Sequence, residues 1–390
     1  MQILIIYLFI ILCMSILLTG LYSPSTLILI LWFCFIGAHE ILRFYSINLI
    51  TQLHVACYLS SYVMGSIIMQ KTKVTKSKYY WDAKILNKIT LVLILCLLVF
   101  LPIIYFDLKN NGLFDANNKS QAIRRYYDNL NIIGKLPISL KIVSNFSIIL
   151  LVLTFMKRES NNITKPLVLI LGLIGISASF SKGYFVLLLS FLMAIVIFYK
   201  RNKYLYIIGI VIFALSILVY SSIVRDRIDI SKYFKIYFLS SLPAYQMIVN
   251  NEFKFAFPTA LGFIIRPIMY FLDMPIDKPI NGNFVNVPES TNVFTAFGPI
   301  YSNFGFLISV VYFFINGIIA GKVYKLGKMG HIVFKIFYGY IIFSIITSIF
   351  SDGFANISTI FNYLLIFMMI HMFTKKKISA NCPLNKKDIN

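Results

Sequence analysis

Eleven apolar runs, each long enough to cross a bilayer or nearly so, crowd the 390 residues of this chain, and one hydrophilic segment, 223–294, interrupts them. A helix crosses the ~30 Å hydrocarbon core with about 20 apolar residues, and there the backbone must satisfy its own hydrogen bonds. The runs are 3–18, 27–41, 47–69, 89–106, 138–156, 167–180, 184–199, 204–222, 297–320, 332–350 and 354–373. The second and sixth are short, which predicts tilted, broken or partly inserted helices. With 59% hydrophobic residues and a mean hydropathy of +0.82, the chain carries more apolar surface than a soluble core can absorb. The expected fold is all-α, a polytopic membrane protein of about 11 transmembrane helices with one large extracytoplasmic loop containing short helices. The layout is 1–222 for eight N-terminal spans, 223–296 for the large loop, 297–373 for three C-terminal spans and 374–390 for a disordered cytoplasmic tail.

Basic residues set the orientation, because cytoplasmic connections retain lysine and arginine. Lys71, Lys73, Lys76, Lys78, Lys84 and Lys88 fill one connection, and Lys157, Arg158 and Lys165 another. Lys200, Arg201 and Lys203, then Lys322, Lys325 and Lys328, then Lys375, Lys376, Lys377, Lys386 and Lys387 follow on the same side. An odd number of spans then puts the uncharged start outside, the C-terminus in the cytoplasm and the loop 223–296 outside. The net charge of +22 is mostly this topology signal and anchors the chain to anionic lipid. Nucleic-acid binding would need a folded basic domain, which the chain lacks. Cys13, Cys34, Cys57 and Cys96 fall in apolar runs and Cys382 in the tail, so no disulfide framework is expected. The first run lacks the basic start and small-residue cleavage site of a signal peptide.

Arginine is distributed differently. Six of eight, Arg43, Arg124, Arg125, Arg225, Arg227 and Arg266, fall on or near the outer side, where positive-inside selection should deplete them. The planar guanidinium suits bidentate capture of phosphate or carboxylate, so the cluster points to an anionic ligand presented at the membrane, such as a lipid diphosphate. Asp226 and Asp229 flank Arg227, and Asp128 follows Arg124 and Arg125 at helical spacing, so local ion pairs also explain these three. Glu40 can neutralise Arg43, which also lies beside His39. Arg266 sits in 257–272, an otherwise uncharged stretch where a cation needs a partner. Within the loop, 232–249 and 258–272 read as amphipathic or re-entrant helical pieces with aromatic rings suited to the interface.

Several chemistries lack their residues. The spans hold almost no carboxylates, with Glu40, Asp107 and Asp352 only at outer ends, which disfavours a cation-coupled transporter. His39, His54, His331 and His371 are scattered and no HExxH occurs, so no metal site is expected. Neither a Walker sequence nor a GxSxG elbow is present.

Asn292-Val-Phe-Thr295-Ala-Phe-Gly-Pro-Ile-Tyr301-Ser-Asn303-Phe-Gly305 closes the loop and opens the ninth span. The segment resembles the part of the Wzy-type O-antigen (oligosaccharide repeat-unit) polymerases that reads T-N-V-[YF]-T, a short aromatic stretch, then D-F-G. Ser179-Phe-Ser181-Lys182-Gly183 is similar to that family's S-[RK]-G turn, and Arg266-Pro267 to the arginine of its large periplasmic loop. These motifs cover about 20 residues, while the span layout agrees over most of the chain. Asn303 stands where the family usually has Asp, which argues against an obligatory base there, and Lys182 stands where Arg is common. The related O-antigen ligases carry a loop histidine; residues 223–296 contain none, which favours polymerase over ligase.

The resemblance implies a metal- and cofactor-independent glycosyltransferase of the bacterial inner (cytoplasmic) membrane. It would transfer a growing glycan from one undecaprenyl diphosphate to the non-reducing sugar of a second lipid-linked unit, building O-antigen or capsule beside a chain-length regulator. Arg266, with Arg225 or Arg227, would neutralise the leaving diphosphate. Glu252, Glu289 or the pair His39–Glu40 would deprotonate the acceptor hydroxyl, a choice the residues leave open. Arg43, Lys182, Asn292, Thr295, Tyr301 and Asn303 would bind substrate. Asn292 and Thr295 can equally be helix caps. A flippase would line several spans with charge and a membrane-bound acyltransferase would carry a histidine motif; the sequence shows neither pattern.

Overall fold

The computed structural model describes residues 1–77, 79–113, 122–123, 125–127, 130, 137–156, 164–178, 182–199, 207, 235–253, 285–287, 289–291, 293–351 and 357–377. Helices dominate: α1 (Gln2–Thr19), α2 (Pro24–Leu42), α3 (Leu49–Lys71), α4 (Ala83–Asn110), α5 (Ile138–Met156), α6 (Thr164–Ala178) and α7 (Lys182–Tyr199). After a π-helical turn at Lys235–Leu239 come α8 (Ser241–Val249), α9 (Phe297–Lys328), α10 (Ile332–Thr347) and α11 (Ile357–Thr374). Five of these, α1, α2, α4, α5 and α9, are long and apolar enough to cross a membrane. Shorter apolar stretches lie in α6, α7, α10 and α11: Val168–Ala178, Gly183–Tyr199, Ile332–Thr347 and Asn362–Thr374. The eighth predicted run, 204–222, lies outside the described residues. The chain is therefore a mostly helical protein with membrane-spanning character.

Local sequence explains where helices begin. Ser23 caps α2, its Oγ accepting from Thr26 N at 3.2 Å, with Pro24 at the first helical position. Asn48 caps α3 through Oδ1 and Thr51 N at 2.8 Å, and Asp82 caps α4 through Lys84 N at 2.8 Å. The apolar pattern is inverted relative to a soluble protein: Ile3, Leu17 and Leu307 are 77%, 85% and 73% exposed. Buried serines and threonines instead return their hydroxyls to their own helix, as Ser144, Thr154 and Ser309 do to the carbonyls of Leu140, Leu150 and Gly305.

The α3–α9 pair forms the spine. Gly317 and Gly321 lie four apart on α9, and Gly65 faces them on α3. A Cβ at 317, 321 or 65 would collide with the carbonyl of Tyr62, Ser66 or Phe314, so the backbones touch where side chains normally intervene. This small-residue seam is how helices associate in lipid, where apolar side chains gain nothing by leaving an apolar solvent.

The described connections segregate to two ends. At one, Ser77 N donates to Met329 O at 2.8 Å, His331 Nε2 lies 3.1 Å from Thr75 O, and Asp82 N donates to Thr374 O at 2.8 Å. Among the described residues, the lysine-rich segments after α3, between α9 and α10 and after α11 thus meet at one end. Two antiparallel ribbons depart from the all-helical expectation. In one, β1 (Tyr79–Trp81) pairs with β4 (Lys375–Lys377), setting Tyr79 against Lys377 and Trp81 against Lys375. The disordered tail predicted from residue 374 is thus ordered for its first three residues, where Lys376 also pairs with Asp82 and holds that carboxyl below its usual range. In the other, β2 (Val285–Val287) pairs with β3 (Glu289–Thr291), just before α9.

Candidate functional site

At the opposite end α3, α8 and α9 converge. Asn48 N donates to Gln246 Oε1 at 2.7 Å and Asn48 Nδ2 to Asn250 Oδ1 at 2.9 Å, tying the start of α3 to α8. Gln52 Nε2 donates to Ile47 O at 2.8 Å. One turn deeper, His54 Nδ1 lies 3.2 Å from Tyr245 Oη, the donor depending on the imidazole tautomer, and Tyr245 Oη donates to Tyr58 Oη at 3.4 Å. Burial, with the neighbouring Tyr58 phenol, pushes the Tyr245 phenol well above its ordinary range, so it stays protonated as a donor.

Around this chain the rings of α9 close in. Phe306 stacks on the His54 imidazole with centroids 4.6 Å apart, and Tyr301 approaches it at 5.1 Å. Between these two rings α9 breaks at Gly305, with φ 75° and ψ −175°, a conformation nearly closed to any residue with a Cβ. The break lets Tyr301 and Phe306 meet the same imidazole from either side of a discontinuity. Broken helices at membrane depth are tolerated where they border a binding cavity.

Beside this cluster runs an apolar cleft of about 560 Å³ between α1, α3 and α9, walled by Leu4, Leu53, Cys57, Phe306 and Val310, with Tyr7, Gln52 and Ser60 as its polar members. Tyr7 Oη and Ser60 Oγ share a 2.7 Å hydrogen bond along it. Phe306 belongs to both: one wall of the cleft and the lid on His54.

The residues singled out from the sequence divide into three groups. Thr295, Tyr301, Asn303 and Glu252 come to this end of the bundle. Thr295 is fully buried and, among the described residues, its Oγ1 makes no hydrogen bond, so it is not the cap of α9. Tyr301 and Asn303 are half-buried on the first segment of α9. Glu252 is exposed and its Oε1 accepts from Asn250 Nδ2 at 3.0 Å, which links it to the start of α3. Arg43 lies at the end of α2 in a left-handed conformation, φ 45°, exposed and, among the described residues, in no ion pair with Glu40. His39, by contrast, is 1% exposed, wedged edge-on against Phe35 at 4.9 Å and beside the Leu239 backbone. The backbone places Lys182 at the start of α7 and Glu289 in β3. Arg225, Arg227, Arg266 and Asn292 lie outside the described residues, as do 258–272. The described part of the predicted helical piece 232–249 is the π-turn and α8, but α8 is buried along nearly its whole length rather than lying on an interface.

His54, Tyr245, Gln52 and Asn48 were not picked out from the sequence. His54 carried a signal: an ionisable side chain a few residues inside a span is a functional candidate on energetic grounds. Tyr245 carried none, since its role depends on the fold bringing α8 against α3. Among the described residues, no three histidine, cysteine or carboxylate side chains gather as a metal site. No protein-family model, curated protein or solved structure matches this chain.

Proposed function

We propose that the chain is a membrane-embedded glycosyltransferase that polymerises polyprenyl-diphosphate-linked oligosaccharide repeat units on the outer face of a bacterial inner membrane. One observation carries this reading: a polar, aromatic cluster of His54, Tyr245 and Tyr301 meets, at Phe306, an apolar cleft between α1, α3 and α9. A soluble sugar needs only the first and a free lipid only the second. A glycan attached to a polyprenyl chain needs both, side by side, near the outer end.

In this reading the cleft receives the lipid tail and the half-buried ring of Tyr301 stacks on a sugar face, while the fully buried Tyr245 only orients His54. His54, oriented by the Tyr245 hydroxyl, takes the proton from the acceptor hydroxyl as the new glycosidic bond forms and the bond to the diphosphate breaks. Arg266, with Arg225 or Arg227, neutralises the departing lipid diphosphate, and Arg43 and Lys182 supply further outer-face charge. Glu252 remains the carboxylate alternative to His54. The rings packed beside His54 also favour an enzyme over a flippase: Trp32, Tyr58, Phe297 and Phe313 contact one another at centroid distances of 4.7–5.5 Å in stacked, tilted and edge-on pairs, an uncharged layer rather than a polar path.

Polysaccharide from a deletion strain tests the reading. Loss of a polymerase leaves single repeats on the lipid core, loss of a flippase leaves none, and loss of a ligase leaves polymer on its lipid carrier. His54→Gln at normal abundance should reproduce the single-repeat phenotype; full-length polymer in that variant would remove His54 from the chemistry and return the role to Glu252.

A further inference from the structure

The ribbon of β1 (Tyr79–Trp81) and β4 (Lys375–Lys377) joins the segment before α4 to the end of α11. A two-stranded ribbon this short is marginal in water, so the side chains around it decide whether it stays closed. Lys376 pairs with Asp82, Asp82 N donates to Thr374 O at 2.8 Å, and Lys375 Nζ lies 5.9 Å from the Tyr79 ring centroid. One turn back along α11, His371 reaches the opposite strand. Trp81 Nε1 donates to its Nδ1 at 2.9 Å, and the Tyr79 ring meets it edge-on at 6.3 Å.

This hydrogen bond fixes a protonation state. An indole N–H only donates, so the Nδ1 that accepts from it carries no proton, and the neutral imidazole holds its hydrogen on Nε2. A proton added at Nδ1 sets two N–H donors against each other, and the bond is lost. Trp81 and His371 are both half-buried, so water only partly replaces the lost partner. The elements packed on the end of α11 offer the new charge little relief. β4 brings Lys375, and α10 brings His331 at its start and then Lys335. α4 brings the exposed Lys84 and Lys88, and β1 the phenol of Tyr79. Asp82 is the carboxylate in this set, and Lys376 already engages it.

We propose that Trp81 and His371 form a proton-sensitive clasp, which holds the segment 375–377 against the strand before α4 and releases it when His371 is protonated. The closed form binds one proton fewer than the open form, so by linkage acid favours opening and a rise in pH favours closing. The Asp82–Lys376 pair does not titrate with it: Lys376 holds the Asp82 carboxyl below its usual range, so the pair stays ionised between pH 5 and pH 8. The clasp is independent of the glycan-polymerising reading, because its residues and its assay are separate from the cluster around His54.

The test follows backbone hydrogen exchange of residues 79–82 and 374–376 in the full chain in detergent, from pH 8 to pH 5, with each rate divided by the intrinsic rate at that pH. Loss of a partly buried hydrogen bond shifts such an opening equilibrium by about tenfold, so wild-type protection should fall by about tenfold on acidification. H371N places an acceptor oxygen close to the position of Nδ1 and does not titrate, so it should stay protected throughout. W81F lacks the donor; it should be about tenfold less protected at pH 8 and lose the pH dependence. H331N removes the neighbouring imidazole and should behave like the wild type. The clasp is refuted if wild-type protection is the same at both ends of the range, if H371N or W81F keeps the wild-type pH dependence, or if H331N abolishes it. Should H371N fail to fold, the wild type and W81F decide.

Discussion

Replacing Gly305 with alanine tests the link between backbone and site most directly. Gly305 holds φ 75° and ψ −175° in the middle of α9, and a Cβ built there meets nothing within 4 Å. Steric collision therefore contributes nothing, and the whole penalty comes from an alanine in a backbone region that only glycine populates, about 1–3 kcal/mol. The helix can escape this by straightening, but residues 297–304 would then turn relative to 306–328. His54 touches Tyr301 on one side of the break and Phe306 on the other, at 5.1 and 4.6 Å, and a straight α9 cannot keep both. Either outcome harms the protein. G37A is the matched control: it lies within α2 with ordinary helical φ and open space around the new Cβ, so it should gain about 0.5–1 kcal/mol. We expect G305A to lower the thermal midpoint in detergent or to shorten the polysaccharide at matched abundance, and G37A to do neither. If the two variants have the same midpoint and the same polymer length, the broken helix plays no part in shaping the site.

Gly317→Ala should destabilise the α3–α9 seam by about 1–3 kcal/mol, because its Cβ would enter the Tyr62 carbonyl; unchanged thermal unfolding would mean the seam is not tight. Thr295→Val removes a buried hydroxyl that has no hydrogen bond among the described residues, so folding should be unaffected or improved. Polymer should nevertheless shorten if that hydroxyl meets substrate, and full-length product would reduce Thr295 to packing; Asn303→Asp, which restores the commoner residue of the polymerases, should be tolerated. Arg266→Lys should leave the protein abundant yet strongly impair polymerisation, since lysine keeps the charge and loses the fork; normal chain length in both R266K and R266A would eliminate a diphosphate clamp. A periplasm-active reporter fused after Asn251 should be active and one fused after Lys203 silent; the reverse pattern would put the His54 cluster on the cytoplasmic side.

Membrane character was legible from the sequence because it depends on runs of residues, not on their arrangement in space. Hydropathy alone located α1, α2 and α5 closely, whereas α4 (Ala83–Asn110) and α9 (Phe297–Lys328) run past the predicted 89–106 and 297–320. The caps Ser23, Asn48 and Asp82, though local in their hydrogen bonding, were not picked out. The segment 292–305 was visible as a loop-to-helix boundary, and Thr295, Tyr301 and Asn303 come to the end of the bundle opposite the described lysine-rich connections. What the linear pattern could not supply was partnership. His39 and His54 look alike as single histidines among apolar residues, yet His39 is wedged between rings while His54 meets Tyr245, a residue 191 positions away. Gly305 reads as one more glycine in a motif until the turn of α9 on either side of it shows which φ it must adopt. The cleft beside Phe306 is a gap between helices, so its volume and lining exist only once α1, α3 and α9 have packed. Period and composition act over one turn or one bilayer thickness; a site assembled from four helices depends on crossing geometry, which small residues such as Gly65, Gly317 and Gly321 set through backbone contact.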